Sequence, residues 1–405
     1  MDFLDFLRRN APWLGAGALL TFLSCFGQTF FISIFAGEIR ETFELSHGAW
    51  GGMYSLGTTV SAVVMIWAGG LADRFRARTL GLALLLGLAV ACVTMATVSW
   101  VWALPAVIFL LRFFGQGMLS HLAVVAMARW FIGTRGKALA IAALGFAVGE
   151  AVLPLLFVGL MDLFHWRTLW LFCACICLVG IPFLLALLRT ERTPQSIAGT
   201  SASAGMLGRH WTRNQTLRHP LFWFMVPALL GPAAFNTAFF FHQVHFAQIK
   251  GWAHIELVAM FPIYTAGSII AMLLSGWALD KFGTARMLPY FQLPMVASFI
   301  AFATGDGLLS ATIGFIFLAL TTGANSTLPN AFWAEFFGTA HIGSIKAMAT
   351  AVMVFGSAIG PGLTGYLIDF GWGLDHQFLW IAGYFLLTSL LMWIGVSRYR
   401  GDRNP

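Results

Sequence analysis

Arg112 and Glu150 each interrupt a long apolar run, in LLRFFGQG and in GFAVGEAV. A charge at mid-membrane costs about 2.5–3.5 kcal/mol on insertion scales, so such residues face protein or solute rather than lipid. Counting ~1.5 Å per residue from the run ends puts both about 17 Å deep, level enough to pair. Two chemistries follow. In one, Arg112 and Glu150 form a static bridge that holds two helices in register. In the other, Glu150 takes up and releases a proton while Arg112 sets its proton affinity. Gln116 lies one turn beyond Arg112 on the same face, whereas His121 falls on the opposite face. Gln28, Asn236, Tyr264, Asn325 and Asn330 are the other polar groups near the middle of apolar runs, each able to bond a solute or a neighbouring helix. His242 and His245, in FFFHQVHF, stand near the end of their run.

These residues belong to a chain of 405 residues that is 59% hydrophobic and 10% charged, with mean hydropathy +0.82. Soluble domains carry about one charged residue in four, so this composition implies an integral membrane protein. The apolar runs are roughly 17 to 28 residues long, enough to cross a ~30 Å core as helices and too long for barrel strands. An all-α membrane protein with about twelve spans is therefore expected, near 11–36, 47–70, 80–98, 101–131, 138–160, 167–188, 219–246, 254–279, 286–304, 308–334, 343–367 and 376–396. The first run exceeds a signal-peptide core and lacks a small-residue cleavage site, so it is expected to remain as a span. Cys25, Cys92, Cys173, Cys175 and Cys177 all fall in spans, where they serve as small apolar residues. In the Cys-x-Cys-x-Cys run only Cys173 and Cys177 share a helical face, and no metal site is expected.

The net charge of +7 reads as topology rather than nucleic-acid binding. With the amino terminus inside, every one of the 23 Lys and Arg except Arg40, Arg112, Arg167 and Lys250 falls on the inner side, and both termini are expected to be cytoplasmic. A polar segment rich in Ser, Thr, Gly and Arg divides the chain, giving residues 1–188, a central cytoplasmic loop over 189–218, and residues 219–405. The halves echo each other. GGLADRFRARTL after the second span matches SGWALDKFGTARML after the eighth, with Asp73 on Asp280 at an offset of 207. Gly145 and Gly149 match Gly356 and Gly360 at 211, and Gly133-Thr134 matches Gly338-Thr339 at 205. Such agreement implies a duplicated six-span unit, whose solute site is expected near the midplane between halves.

Six plus six spans, a central loop, and acidic-basic loops after the second and eighth spans resemble the major facilitator superfamily over essentially the whole chain. That resemblance implies two pseudo-symmetric six-helix bundles and a secondary transporter working by alternating access. It also implies gating roles for Asp73, Arg74 and Arg78 in the first loop and for Asp280, Lys281 and Arg286 in the second. Arg76 stands where the family has a glycine; Gly283 keeps it in the second copy. RFFGQG resembles the family's Arg-then-Gly signature through Arg112, Gln116 and Gly117, with a spacing one residue longer.

In this family the first, fourth, seventh and tenth helices line the cavity, which implies Gln28, Arg112, Gln116, Asn236 and Asn325, with Tyr264 of the eighth, as solute-binding residues; Glu150, a carboxylate at mid-span, is the proton-coupling candidate by its burial. FFFHQVHFAQIKGW is similar to a bacterial subgroup that includes copper importers and riboflavin importers. The copper branch has Met-x-x-x-Met and His-x-x-x-Met in its seventh and eighth spans. Here Ala233 and Thr237, then Phe261 and Thr265, occupy one-turn spacings. Riboflavin uptake across a bacterial inner membrane is the expectation, supported by aromatics beside neutral amides in QTFFISIF, AFNTAFFFHQ and NAFWAEFF. A copper importer, a small-carboxylate carrier using Arg112 and a drug exporter remain open alternatives. No nucleotide loop, His-rich metal box or paired-carboxylate spacing points to an enzyme. A monomer in the lipid bilayer with a small-molecule substrate and no cofactor is expected.

Overall fold

The computed structural model describes residues 3–131, 134–190, 204–399 and 401, without the side chains of Phe3, Leu4, Asp73 and Arg135. Gly133 of the third echo and residues 191–203 of the central loop therefore lie outside the described residues. The described residues form helices and no strand. Contacts divide the chain into two compact units, Met1–Gly199 and Thr200–Pro405.

In the first unit we number α1 Phe3–Ser24, α2 His47–Ala68, α3 Ala77–Thr97, α4 Val101–Trp130, α5 Arg135–Met161 and α6 Trp166–Leu187. The second unit has α7 Pro220–Phe241, α8 Phe261–Phe282, α9 Leu293–Thr304, α10 Leu308–Phe337, α11 Ile342–Asp369 and α12 Leu374–Tyr399. Within the first unit α1 packs on α5, α2 on α4 and α3 on α6. The second unit repeats this as α7 on α11, α8 on α10 and α9 on α12. The duplication visible in the loops thus extends to the packing.

Glycines permit the closest of these approaches. A Cβ on Gly145 would collide with the Ala18 carbonyl of α1, and one on Gly149 with Cys25 Sγ. Gly356 and Gly360 of α11 meet the Leu230 and Ala234 carbonyls of α7 in the same way.

Among the described residues ten helices are long and apolar enough to span a membrane, and the pair Asp5–Gly27 and Thr29–Thr42, bent by 47°, makes an eleventh. The expected span near 286–304 is divided: Thr284–Met287, a turn, then α9 of 12 residues. Pro289 and Pro294 account for the interruption, because neither supplies an amide donor to a helix. Gln292, buried between them, fills it. Its Nε2 donates to Ala228 O at 2.6 Å, and its Oε1 accepts from Thr388 Oγ1 at 2.8 Å.

Candidate functional site

The first unit contains a break in a membrane helix. After α1, Cys25–Gly27 form a tighter turn, Gln28 is extended (φ −85°, ψ 152°), and helix resumes at Thr29–Ile32. Phe31 N donates to Gln28 O at 3.2 Å, which leaves the Gly27 carbonyl outside the helical ladder. Bare backbone at membrane depth must be satisfied by protein or by a polar cavity. Here α4 satisfies it. Residues Arg112–Leu119 widen into a π-helical segment, and Gly27 and Gly115 touch so closely that a Cβ on either would collide with the other's backbone.

Arg112 Nη1 donates to Gly27 O at 3.3 Å and to Thr29 Oγ1 at 3.1 Å. Tyr54 of α2 donates its hydroxyl to the same Thr29 Oγ1 at 2.7 Å, and its ring centroid lies 5.5 Å from the guanidinium carbon. Arg112 is only 2% exposed, and its Nε has no hydrogen-bond partner. The Arg112–Glu150 bridge that equal depth allowed is not what this arginine makes. The break in α1 presents a carbonyl and a hydroxyl to the guanidinium, and those occupy it. Glu150 is half-buried on α5 next to Gly149, where its carboxylate comes within electrostatic reach of the Cys25 thiol. Gln28 is buried at the break, and Gln116, half-buried in the widened segment, brings its backbone N beside Gly27. Thr29 and Tyr54 are the members that sequence reading missed.

In the second unit α7 runs unbroken through the corresponding level. Asn236 Nδ2 donates to Thr322 Oγ1 of α10 at 3.4 Å, and Tyr264 of α8 donates to the same oxygen at 3.3 Å. The Phe240 ring packs on Tyr264 with centroids 5.3 Å apart. Asn236 Oδ1 is buried without a partner. Asn325, three residues beyond Thr322, is half-buried and makes no hydrogen bond to the cluster. Asn330 is exposed and bonds its own helix through Ser326 O at 2.9 Å. His242 is buried with Nε2 at 3.0 Å from Pro361 O, which ties the end of α7 to α11.

The two clusters occupy matched positions. Gly27 and Asn236 are 209 residues apart, Tyr54 and Tyr264 are 210 apart, and Arg112 and Thr322 are 210 apart. These offsets fall inside the 205–211 set by the loop and glycine echoes. Carrying that register into the spans is the signal that finds Tyr54 and Thr322.

Most of the aromatics beside these groups are core. Phe31 and Phe35 are fully buried and meet Phe157 and Trp170 at centroid distances of 4.9–6.5 Å. Phe239 stacks on Phe302 at 4.5 Å, and Phe332, Trp333, Phe336 and Phe337 are all buried. Of the aromatics in those runs Phe240 joins a candidate cluster, and Phe315 also meets the Tyr264 ring, with centroids 6.0 Å apart. Cys173 and Cys177 are buried while Cys175 is exposed, and among the described residues no three His, Cys, Asp or Glu gather as a metal site.

The Asp73 side chain lies outside the described residues. Its neighbours Arg74 and Arg78 are exposed, and α4 holds their loop through Arg129 Nη1 to Ala72 O at 3.2 Å and His121 Nε2 to Gly69 O at 3.1 Å. In the second loop Asp280, Lys281 and Arg286 are exposed, with the Lys281 ammonium 5.1 Å from the Trp277 ring centroid. Gly283 has φ 76°, ψ 156°, a conformation open to glycine almost alone. Arg76, at the matching position, has φ −65°, ψ 140°, so the first loop turns without needing glycine there.

Duplicated helical units with a broken helix and polar groups at membrane depth define a polytopic membrane protein. Comparison with known proteins makes this specific: the Major Facilitator Superfamily matches residues 17–345, and the chain belongs to it. The rat monocarboxylate transporter 13 is 25% identical over 278 residues, covering 66% of this chain and 60% of that one. The bovine protein of the same name is 26% identical over 278 residues. The match spans about three-fifths of the length of these two relatives. The proton-coupled antiporter flippase LtaA of Staphylococcus haemolyticus is 27% identical over 161 residues, 39% of this chain and 40% of that one. A bacterial homolog of the human lysosomal transporter Spinster, inward-facing and occupied, has the same fold, with TM-score 0.74 at 16% identity over 97% of this chain and 98% of that one. The nucleoside transporter NupG matches with TM-score 0.71 at 15% identity over 95% and 98%.

Proposed function

We propose that this transporter takes up a neutral heteroaromatic solute with hydrogen-bonding edges, riboflavin in particular, across a bacterial inner membrane by alternating access. The observation that carries the reading is the uncharged Asn236–Thr322–Tyr264 cluster with one buried amide atom left unpaired. Such an atom costs about 1–3 kcal/mol until a ligand pairs it, and an amide complements the imide edge of a flavin. The FFFHQVHFAQIKGW segment resembles a subgroup that includes copper and riboflavin importers, and Ala233, Thr237, Phe261 and Thr265 leave copper without its one-turn ligand pairs.

On this reading Asn236, Tyr264 and Asn325 bind solute, with Gln28 and Gln116 from the first unit, and Arg112 acts by positioning Gly27 and Gln28. Glu150 carries the coupling proton. Asp73, Arg74 and Arg78, with Asp280, Lys281 and Arg286, form the gate at the cytoplasmic ends of the helices.

A second reading, a small-monocarboxylate carrier, is favoured by the names of the mammalian relatives and by the unpartnered Nε of Arg112. Uptake of labelled riboflavin into cells lacking their own importer separates the two. The flavin reading expects saturable uptake, unaffected by excess pyruvate or lactate, with KM raised about tenfold in Asn236→Ala by loss of a buried hydrogen bond. Pyruvate uptake without riboflavin uptake overturns it. Glu150→Gln is expected to abolish the pH dependence of uptake, and an unchanged pH profile removes Glu150 from coupling.

A further inference from the structure

Ahead of α7 the chain builds a basic cleft that includes none of the residues assigned above to solute, proton or gate. Arg209, His210, Trp211, Gln215, Arg218 and His219 line an open cleft of about 520 Å³ in the second unit. It is a shaped feature. Trp211 N donates to Phe337 O at 3.2 Å and Trp211 Nε1 to Met206 O at 3.2 Å, while the Trp211 ring meets the rings of His219 and Phe337. Gln215 Oε1 accepts from Thr212 N at 2.9 Å and fixes the short helix Arg213–Arg218 that carries Arg218. His219 Nδ1 accepts from Leu221 N at 3.2 Å at the start of α7. The rigid parts are thus satisfied by the protein, and the charges are not.

Arg209 and Arg218 are exposed, and neither guanidinium has an ion pair or side-chain hydrogen bond among the described residues. No acid is near in sequence: between Glu191 and Glu256 the chain has no Asp or Glu. Two unneutralised guanidiniums at one cleft suit an anionic group with several acceptor oxygens, and their planar donor forks match phosphate. The depth is that of the membrane surface. Trp223, within a turn of the start of α7, is 59% exposed with its Nε1 donating to Leu217 O at 2.9 Å, the posture of an interfacial tryptophan. Leu207, two residues before Arg209, is 53% exposed at φ 57°, so an apolar side chain is held outward beside the basic cleft.

We propose that the cleft binds the phosphate of an anionic phospholipid headgroup, with Arg209 and Arg218 as its two cationic arms and Leu207 and Trp223 against the acyl region. Basic pockets at the membrane end of helical bundles have the charge and depth for such headgroups. The site is independent of the solute carried.

The test uses the full chain in neutral detergent, titrated with phosphatidylglycerol, phosphatidylcholine or inorganic phosphate and read by native mass spectrometry. The intact protein is expected to hold one phosphatidylglycerol more tightly than phosphatidylcholine. Each arginine near an anionic headgroup contributes about fivefold, so Arg209→Gln with Arg218→Gln is expected to weaken that binding about 25-fold and leave phosphatidylcholine unchanged. The Arg209→Lys, Arg218→Lys pair keeps most of the affinity. Undiminished phosphatidylglycerol binding in the Gln variant overturns the proposal. So does displacement of the lipid by inorganic phosphate at equal concentration, which identifies a free-anion site instead.

Discussion

The two units place a tyrosine at the same position of the repeat and use it for different ends. In the first, Tyr54 joins a buried guanidinium around a broken helix, and the bonds of Arg112 restore what the break removed. In the second, Tyr264 joins a threonine and an asparagine beside an unbroken helix, and one polar atom is left over. Exchange of Arg112 for Thr322 across 210 residues separates these outcomes. A cation bound to backbone makes a rigid support, because charge-assisted bonds contribute about 1.5–3 kcal/mol each and leave little to offer a ligand. The neutral bonds of the second cluster, at 3.3–3.4 Å, lack that charge assistance, and Asn236 Oδ1 is left open to a further partner. The same repeat position thus carries a cation in one unit and a neutral hydroxyl in the other.

The sharpest way to break this comparison is Arg112→Met. Removing the guanidinium leaves the Gly27 carbonyl and Thr29 hydroxyl without their donor at membrane depth, and a loss of about 3 kcal/mol is expected. Thermal unfolding of the purified protein in detergent measures it. An Arg112→Met variant that unfolds at a higher temperature than the parent would show that the charge is kept at a cost in stability, which would return Arg112 to the solute-binding set. A smaller effect comes from the paired tyrosines. Tyr54→Phe removes a 2.7 Å bond in a fully buried cluster and is expected to cost about 1 kcal/mol of stability with little change in KM. Tyr264→Phe is expected to do the reverse, raising KM several-fold with unfolding nearly unmoved. Equal behaviour of the two variants would erase the distinction between support and site.

Much of this is legible in the sequence, and the limits have physical causes. Composition and run length imply the helices, and the loop echo implies the duplication, because charge at a membrane surface is sparse and therefore conspicuous. The ninth helix is shorter than its apolar run, since Pro289 and Pro294 interrupt a stretch that hydropathy alone reads as continuous. Arg112 stands out as a residue that must justify its burial, yet its partners do not. A bare backbone carbonyl such as that of Gly27 has no letter in the sequence. Aromatics mislead for a different reason: core, lipid face and cavity all accept Phe, and Phe31, Phe35 and Phe239 are core.

The loops after α2 and α8 offer the finest test, because they share an acid-base pattern but not a backbone. Gly283 at φ 76° has a conformation that a side chain resists, whereas Arg76 at φ −65° has one open to any residue. Restoring glycine in the first loop by Arg76→Gly therefore relieves no strain. It adds freedom to the unfolded chain, and a loss of about 0.5 kcal/mol is expected. Its effect on transport tells more. If Arg74 and Arg78 suffice for the gate, uptake by Arg76→Gly should match the parent at saturating solute. A several-fold change in maximal rate, with KM unmoved, would instead mean that this arginine contributes charge to the gate, in a loop whose backbone had already been freed from the glycine its twin requires.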